Sequence, residues 1–105
     1  IKIVRAYFNA HTTGVEPSIH QDDGELTFIY YPNLKWNVNY GGGTTVYDGN
    51  LKQGDYLSNI DKGTLIPYKG NRLIGFTANL HHQAMPVTKK CFMLRTCIVF
   101  KTEKA

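Results

Sequence analysis

No part of this sequence carries an apolar stripe of helical spacing longer than about ten residues, and that feature constrains the fold most. In place of helices stand short runs rich in β-branched and aromatic residues, each closed by turn chemistry. The runs are Ile1 to Phe8, Ser18 to His20, Glu25 to Tyr31, Gly43 to Tyr47, Thr64 to Tyr68, Arg72 to Phe76, Gln83 to Val87 and Phe92 to Lys101. Asp23-Gly24, Asp48-Gly49 and Gly70-Asn71 offer residues that tolerate the positive φ of tight reversals. This pattern predicts an all-β domain of about eight strands, a jelly roll or small sandwich with few or no helices. The segment Asp48 to Gly63 is polar and weakly periodic, and is expected to form the longest loop, a natural rim or lid for a site.

A chain of 105 residues has room for one hydrophobic core and not two, so 1–105 is expected to be a single domain. Its 42% hydrophobic and 12% aromatic residues exclude a disordered chain. No run approaches the roughly 18 consecutive apolar residues of a membrane span, and no basic start leads into an apolar stretch. A soluble, cytoplasmic protein without a membrane partner is therefore expected. The chain opens on Ile1 rather than Met, as a processed or excised piece of a longer protein would. Cys91 and Cys97 make neither a CxxC pair nor a disulfide framework, and are expected to be free thiols. The net charge of +4 is scattered apart from Lys89-Lys90 and Lys101/Lys104, which predicts a solvated surface rather than a patch for a polyanion.

Chemistry concentrates at His20-Gln21-Asp22-Asp23-Gly24. In an extended chain residues i and i+2 project to the same face, so His20 and Asp22 can grip one ion from one side. Asp23 belongs with Gly24 to the turn, which leaves Asp22 as the ligand. A third ligand has to come from elsewhere, and His82 is available after the run Arg72 to Phe76. Two imidazoles and one carboxylate make the facial triad of non-haem Fe(II) oxygenases, which leaves coordination positions open for cosubstrate and dioxygen. His11, in the polar segment Asn9 to Gly14, lacks a carboxylate at i+2 and is expected in a surface loop, with substrate contact as the lesser reading.

Of the three arginines, Arg5 lies in the first strand and Arg72 follows a turn, whereas Arg95 stands inside the apolar run Phe92 to Phe100. A guanidinium there is costly unless an anion meets it. The distal carboxylate of 2-oxoglutarate would be such an anion, and arginine offers it a forked donor. Gly41-Gly42-Gly43 is not a phosphate loop, because no Lys-Ser/Thr follows and no helix is predicted; close backbone approach at a strand start explains it.

Taken in order, Tyr7, Gly14, His20-Gln21-Asp22, Phe28-Ile29-Tyr30-Tyr31, Pro32-Asn33, Trp36, Gly42-Gly43, Asn71-Arg72-Leu73-Ile74-Gly75-Phe76, His82 to Val87 and Arg95 resemble the prolyl 4-hydroxylase-like branch of the Fe(II)/2-oxoglutarate dioxygenases. That branch includes the hypoxia-factor prolyl hydroxylases, and the likeness covers nearly the whole chain. The resemblance implies a double-stranded β-helix with His20, Asp22 and His82 as iron ligands. It favours His82 over its neighbour His81, because the family places a proline four residues after the ligand, as Pro86 stands here. It implies Arg95 as anchor of the distal carboxylate, Tyr31 as a hydrogen-bond partner of that carboxylate, and Tyr7 as a contact to the cosubstrate from the first strand. The stretch from Tyr7 to His20 is a few residues longer than in relatives. The longer gap from His82 to Arg95 is assigned to a hairpin around Lys89-Lys90.

The cofactors implied are Fe(II), 2-oxoglutarate as cosubstrate and dioxygen, and the implied reaction hydroxylates a C–H bond with release of succinate and carbon dioxide. The substrate class implied is a prolyl residue in a peptide or protein. Helices ahead of the first strand commonly cover the larger sheet in the family; this chain begins at a strand, so they are absent from it, or a partner subunit covers that face, which leaves a homo-oligomer open. Two other readings compete. The related repair dioxygenases that demethylate nucleic acid carry further arginine and asparagine in the last strand, whereas Thr96-Cys97-Ile98-Val99-Phe100 follows Arg95 here. A non-catalytic jelly-roll binding module has no need to keep three ligands and an anchor together.

Overall fold

The protein is described as a computed structural model covering residues 1–15, 17–47, 63–88, 91 and 93–104. Seven strands follow in order: β1 (Lys2–His11), β2 (Leu26–Tyr31), β3 (Thr44–Tyr47), β4 (Gly63–Ile66), β5 (Arg72–Thr77), β6 (His82–Ala84) and β7 (Arg95–Glu103). One turn of 3-10 helix, Val38–Tyr40, precedes β3. A larger antiparallel sheet has the order β1-β7-β2-β5 and a smaller one the order β4-β3-β6. His20 adds a single bridge beyond β6, pairing with His82. The chain thus passes back and forth between two sheets, and the expected piece at Ser18 to His20 survives only as that bridge.

Period-two alternation decides which side chains enter the core. In β2, Thr27, Ile29 and Tyr31 are buried while their neighbours are less so, and in β7 Arg95, Cys97, Val99 and Lys101 share the inward face. Ile29, Tyr31, Tyr68, Ile74, Cys97 and Val99 form the centre of the core, with Trp36 and Ile66 packed against it from the side of the smaller sheet. Both cysteines are free and buried, as expected.

Strand ends differ from the sequence expectation for identifiable reasons. β4 stops at Ile66 rather than Tyr68 and β6 at Ala84 rather than Val87, because Pro67 and Pro86 follow and a proline has no N–H to give to a ladder. Val87 keeps one bridge, to Gly41. β1 runs on past Phe8 to His11, held in register against β7 as far as the pair His11 and Arg95. The expected loop and lid at Asp48 to Gly63 lies outside the described residues apart from Gly63, which opens β4, and the expected hairpin at Lys89-Lys90 lies outside them too.

Two turns that position the site match expectation. Gly24 takes φ +90°, and a Cβ there would stand 3.0 Å from the Thr102 carbonyl oxygen, so the Asp23-Gly24 reversal is pressed against β7. Asn71 takes φ 64° between β4 and β5. On the outward face of the larger sheet Ile1, Ile3, Phe28, Leu73 and Phe100, with Thr102, line an apolar trough. No helix among the described residues is long and apolar enough to cross a membrane.

Candidate metal centre

His20 and His82 exchange both backbone hydrogen bonds, at 3.0 and 2.9 Å, which places them directly opposite one another. Side chains of such a pair lie on the same face, and here the rings meet edge to face with centroids 4.3 Å apart. Asp22 follows two residues after His20, its N–H tied to the Ala78 carbonyl at 3.0 Å. One ligand atom from each of His20, Asp22 and His82 lies within 4.8 Å of the others. Of the adjacent histidines it is His82, and not His81, that joins the cluster among the described residues.

The donor set fits a divalent cation. His20 Nδ1 lies 3.0 Å from the Ser18 carbonyl and His82 Nδ1 lies 2.9 Å from the Leu80 carbonyl, so each ring gives its Nδ1–H to the backbone and turns Nε2 inward. His82 Nε2 stands 3.2 Å from Asp22 Oδ2 and His20 Nε2 stands 3.7 Å from Asp22 Oδ1. Lone pairs converging in this way require positive charge between them, from a shared proton or from a metal ion.

Asp22 is held from the other side as well. Thr27 Oγ1 donates to Asp22 Oδ2 at 2.8 Å, and the Lys101 ammonium lies 3.5 Å from Oδ1 while also pairing with Asp23 at 2.9 Å. Burial pushes the Asp22 carboxyl up. The hydrogen bonds with His82 and Thr27, with the attraction of His82 and Lys101, outweigh it and hold the carboxyl well below its ordinary range. Partners behind a metal ligand commonly control affinity by about 10- to 100-fold. Thr27→Val, which deletes the donor and keeps the shape, is therefore expected to weaken Mn(II) binding by about tenfold or more. Calorimetry checks this, and an unchanged affinity would remove Thr27 from the site.

The same cleft extends along β1 and β7 to Arg95. It is lined by the three clustered side chains and by Tyr7, Ile29, Thr44, Arg95 and Val99 among others, and is partly open to solvent. Arg95 is 1% exposed, donates from Nε to the Gly42 carbonyl, and has no carboxylate within ion-pair distance among the described residues. Gly42 takes φ +78°, and a Cβ there would lie 3.3 Å from Arg95 Cδ and 3.1 Å from Trp36 Cζ2, so glycine lets the backbone close on the arginine stem. Arg5 and Arg72 have structural partners: Arg5 lies over the Tyr7 ring at 5.1 Å, and Arg72 donates to the Pro67 carbonyl at 2.6 Å.

The tyrosines divide between the two ends. Tyr31 is fully buried with its ring 5.8 Å from the Arg95 guanidinium carbon, and its hydroxyl is hydrogen-bonded to Thr44 Oγ1, whose side chain lines the cleft. Burial pushes the Tyr31 phenol up, which keeps it a neutral hydroxyl. Tyr7 lies at the other end, opposite Val99 and 5.7 Å from the Lys101 ammonium.

Over residues 4–100 the sequence matches the 2OG-Fe(II) oxygenase superfamily. The chain belongs to that superfamily. Membership implies Fe(II), 2-oxoglutarate and dioxygen as the cofactor set. Its fold is similar to the crystal structure of a Pseudomonas putida prolyl-4-hydroxylase, with a TM-score of 0.68 and 15% identity over 95% of this chain and 51% of that one. The chain thus spans about half the length of that structure. No curated protein matches its sequence significantly. The two-sheet architecture is accordingly the jelly roll of the family.

Sequence reasoning overlooked three groups at the site and held a role for a fourth, His11, only as its lesser reading. Lys101 and Thr27 bear on Asp22, Thr44 bonds Tyr31, and His11 lines the cleft rather than sitting in a surface loop. For Lys101 a signal existed: it is in phase with Arg95, Cys97 and Val99 along one strand, so placing Arg95 inward places Lys101 inward as well.

Proposed function

We propose that the domain is the catalytic core of a dioxygenase that binds Fe(II) through His20, Asp22 and His82 and hydroxylates a C–H bond of a peptide or protein, a prolyl residue being the substrate. The observation that carries this reading is the pairing, within one cleft, of a three-ligand cluster at one end with a buried guanidinium that meets no carboxylate among the described residues at the other. The name of the Pseudomonas putida neighbour supports the prolyl substrate.

Bound Fe(II), with 2-oxoglutarate and dioxygen, supplies an oxidative decarboxylation that yields succinate and carbon dioxide and delivers one oxygen atom into the C–H bond. The chain's own residues prepare for it. The Ser18 and Leu80 carbonyls fix the ring orientation of His20 and His82, and Thr27 with Lys101 fixes the carboxylate of Asp22. Arg95 holds the far carboxylate of the cosubstrate, with Tyr31 beside it and Tyr7 reaching in from β1. Ile29 and Val99 present hydrocarbon to the cleft and limit the water that reaches the reacting atoms.

The test is mass spectrometry of proline-containing peptides incubated with the protein, iron and 2-oxoglutarate. The expected result is a gain of one oxygen atom on proline, coupled to succinate formation. Succinate formation without oxygen transfer to any peptide would overturn the substrate, and no succinate with any peptide would overturn the activity.

A further inference from the structure

β1 sends Tyr7, Asn9 and His11 into the cleft, and its register sets them opposite Val99, Cys97 and Arg95 in turn. His11 is therefore the side chain of the first strand that stands level with the buried guanidinium, about 13 Å of strand away from Tyr7 at roughly 3.3 Å per residue. Its Nδ1 is buried and hydrogen-bonds to no described residue. Buried polar atoms almost always have partners, so one left open in a ligand cleft beside an arginine marks a place where a ligand atom belongs. Burial, and then the Arg95 guanidinium, push the imidazole's pKa down. A neutral ring still carries one N–H, and gives it without setting a second cation against Arg95.

We propose that His11 donates from Nδ1 to the distal carboxylate of the dicarboxylic 2-oxo acid held by Arg95, so that two side chains facing each other across β1 and β7 form one carboxylate site. This rests on the reading of the cleft as a 2-oxoglutarate site and adds a residue to it. His11 is then a specificity residue: it favours a 2-oxo acid with a second carboxylate over one without, and leaves the metal-binding end untouched.

The test is calorimetry on the Mn(II)-loaded protein with 2-oxoglutarate and with 2-oxobutyrate, which shares the chelating end and lacks the distal carboxylate. His11→Ala and the bulkier His11→Phe, neither of which has a donor, are expected to lose affinity for 2-oxoglutarate by about tenfold or more, the usual worth of a hydrogen bond to a charged group. His11→Gln, which keeps an N–H, is expected to recover most of it, and 2-oxobutyrate is expected to bind all forms alike. Unchanged 2-oxoglutarate affinity in both donorless variants, or an equal loss for both acids, would overturn the assignment of His11 while leaving the functional reading in place. If wild-type protein with Mn(II) binds no 2-oxoglutarate, the functional reading itself falls, and this inference with it.

Discussion

His82→Ala is expected to abolish Mn(II) binding and, with it, metal-dependent succinate formation, in a domain that remains folded. His82 contributes one of three converging ligand atoms, and its backbone, rather than its ring, makes the bridge to His20. The loss should exceed the roughly 10- to 100-fold that partners behind a ligand cost, because a side chain proposed to touch the ion directly is removed. The ring also packs against Phe76 at 4.7 Å between centroids, so some stability is lost with it. Circular dichroism separates the two effects: a folded variant that still turned over with metal would defeat the assignment of His82.

The second large effect is expected at Arg95. Arg95→Met replaces a buried guanidinium by an apolar side chain of similar length, and buried charges exchanged for well-packed hydrocarbon often cost little in stability. Binding should respond differently. Removing one partner of a buried, hydrogen-bonded charge pair costs about 2 to 5 kcal/mol, which is about 30-fold to several thousandfold in affinity. Arg95→Met is thus expected to raise the dissociation constant for 2-oxoglutarate by that range while Mn(II) affinity in its absence stays near wild type. Wild-type cosubstrate affinity in this variant would mean that Arg95 is a structural arginine, held by the Gly42 carbonyl and the Cys97 sulfur.

Much of this arrangement was legible in the residues because strand geometry is simple. Runs of β-branched and aromatic residues gave most of the strands, Asp23-Gly24 and Gly70-Asn71 gave two reversals, and HxD spacing put His20 and Asp22 on one side. Arg95 stood out because a guanidinium in an apolar strand demands an explanation. What escaped depended on pairings distant in sequence. Nothing local shows that the polar residues Asn9 to His11 continue a strand; it is the partner β7 that draws them in, and the cleft that makes polar side chains acceptable there. Nor does sequence show that Lys101 reaches back to Asp22, which needs the turn at Gly24 to be folded against Thr102. The short β4 and β6 were overextended because apolar residues beyond Pro67 and Pro86 kept the pattern after the ladder had ended.

Iron and cosubstrate are proposed to meet at His20, Asp22 and His82, and an anaerobic optical titration reads that meeting. When the keto acid chelates Fe(II), charge transfer from the metal to the keto group gives a visible absorption band. The band is expected when wild-type protein, Fe(II) and 2-oxoglutarate are all present, and is expected to vanish when any of the three is omitted or when His82→Ala replaces the wild type. A wild-type protein that shows no band at saturating iron and 2-oxoglutarate, or a band that persists in His82→Ala, would contradict it.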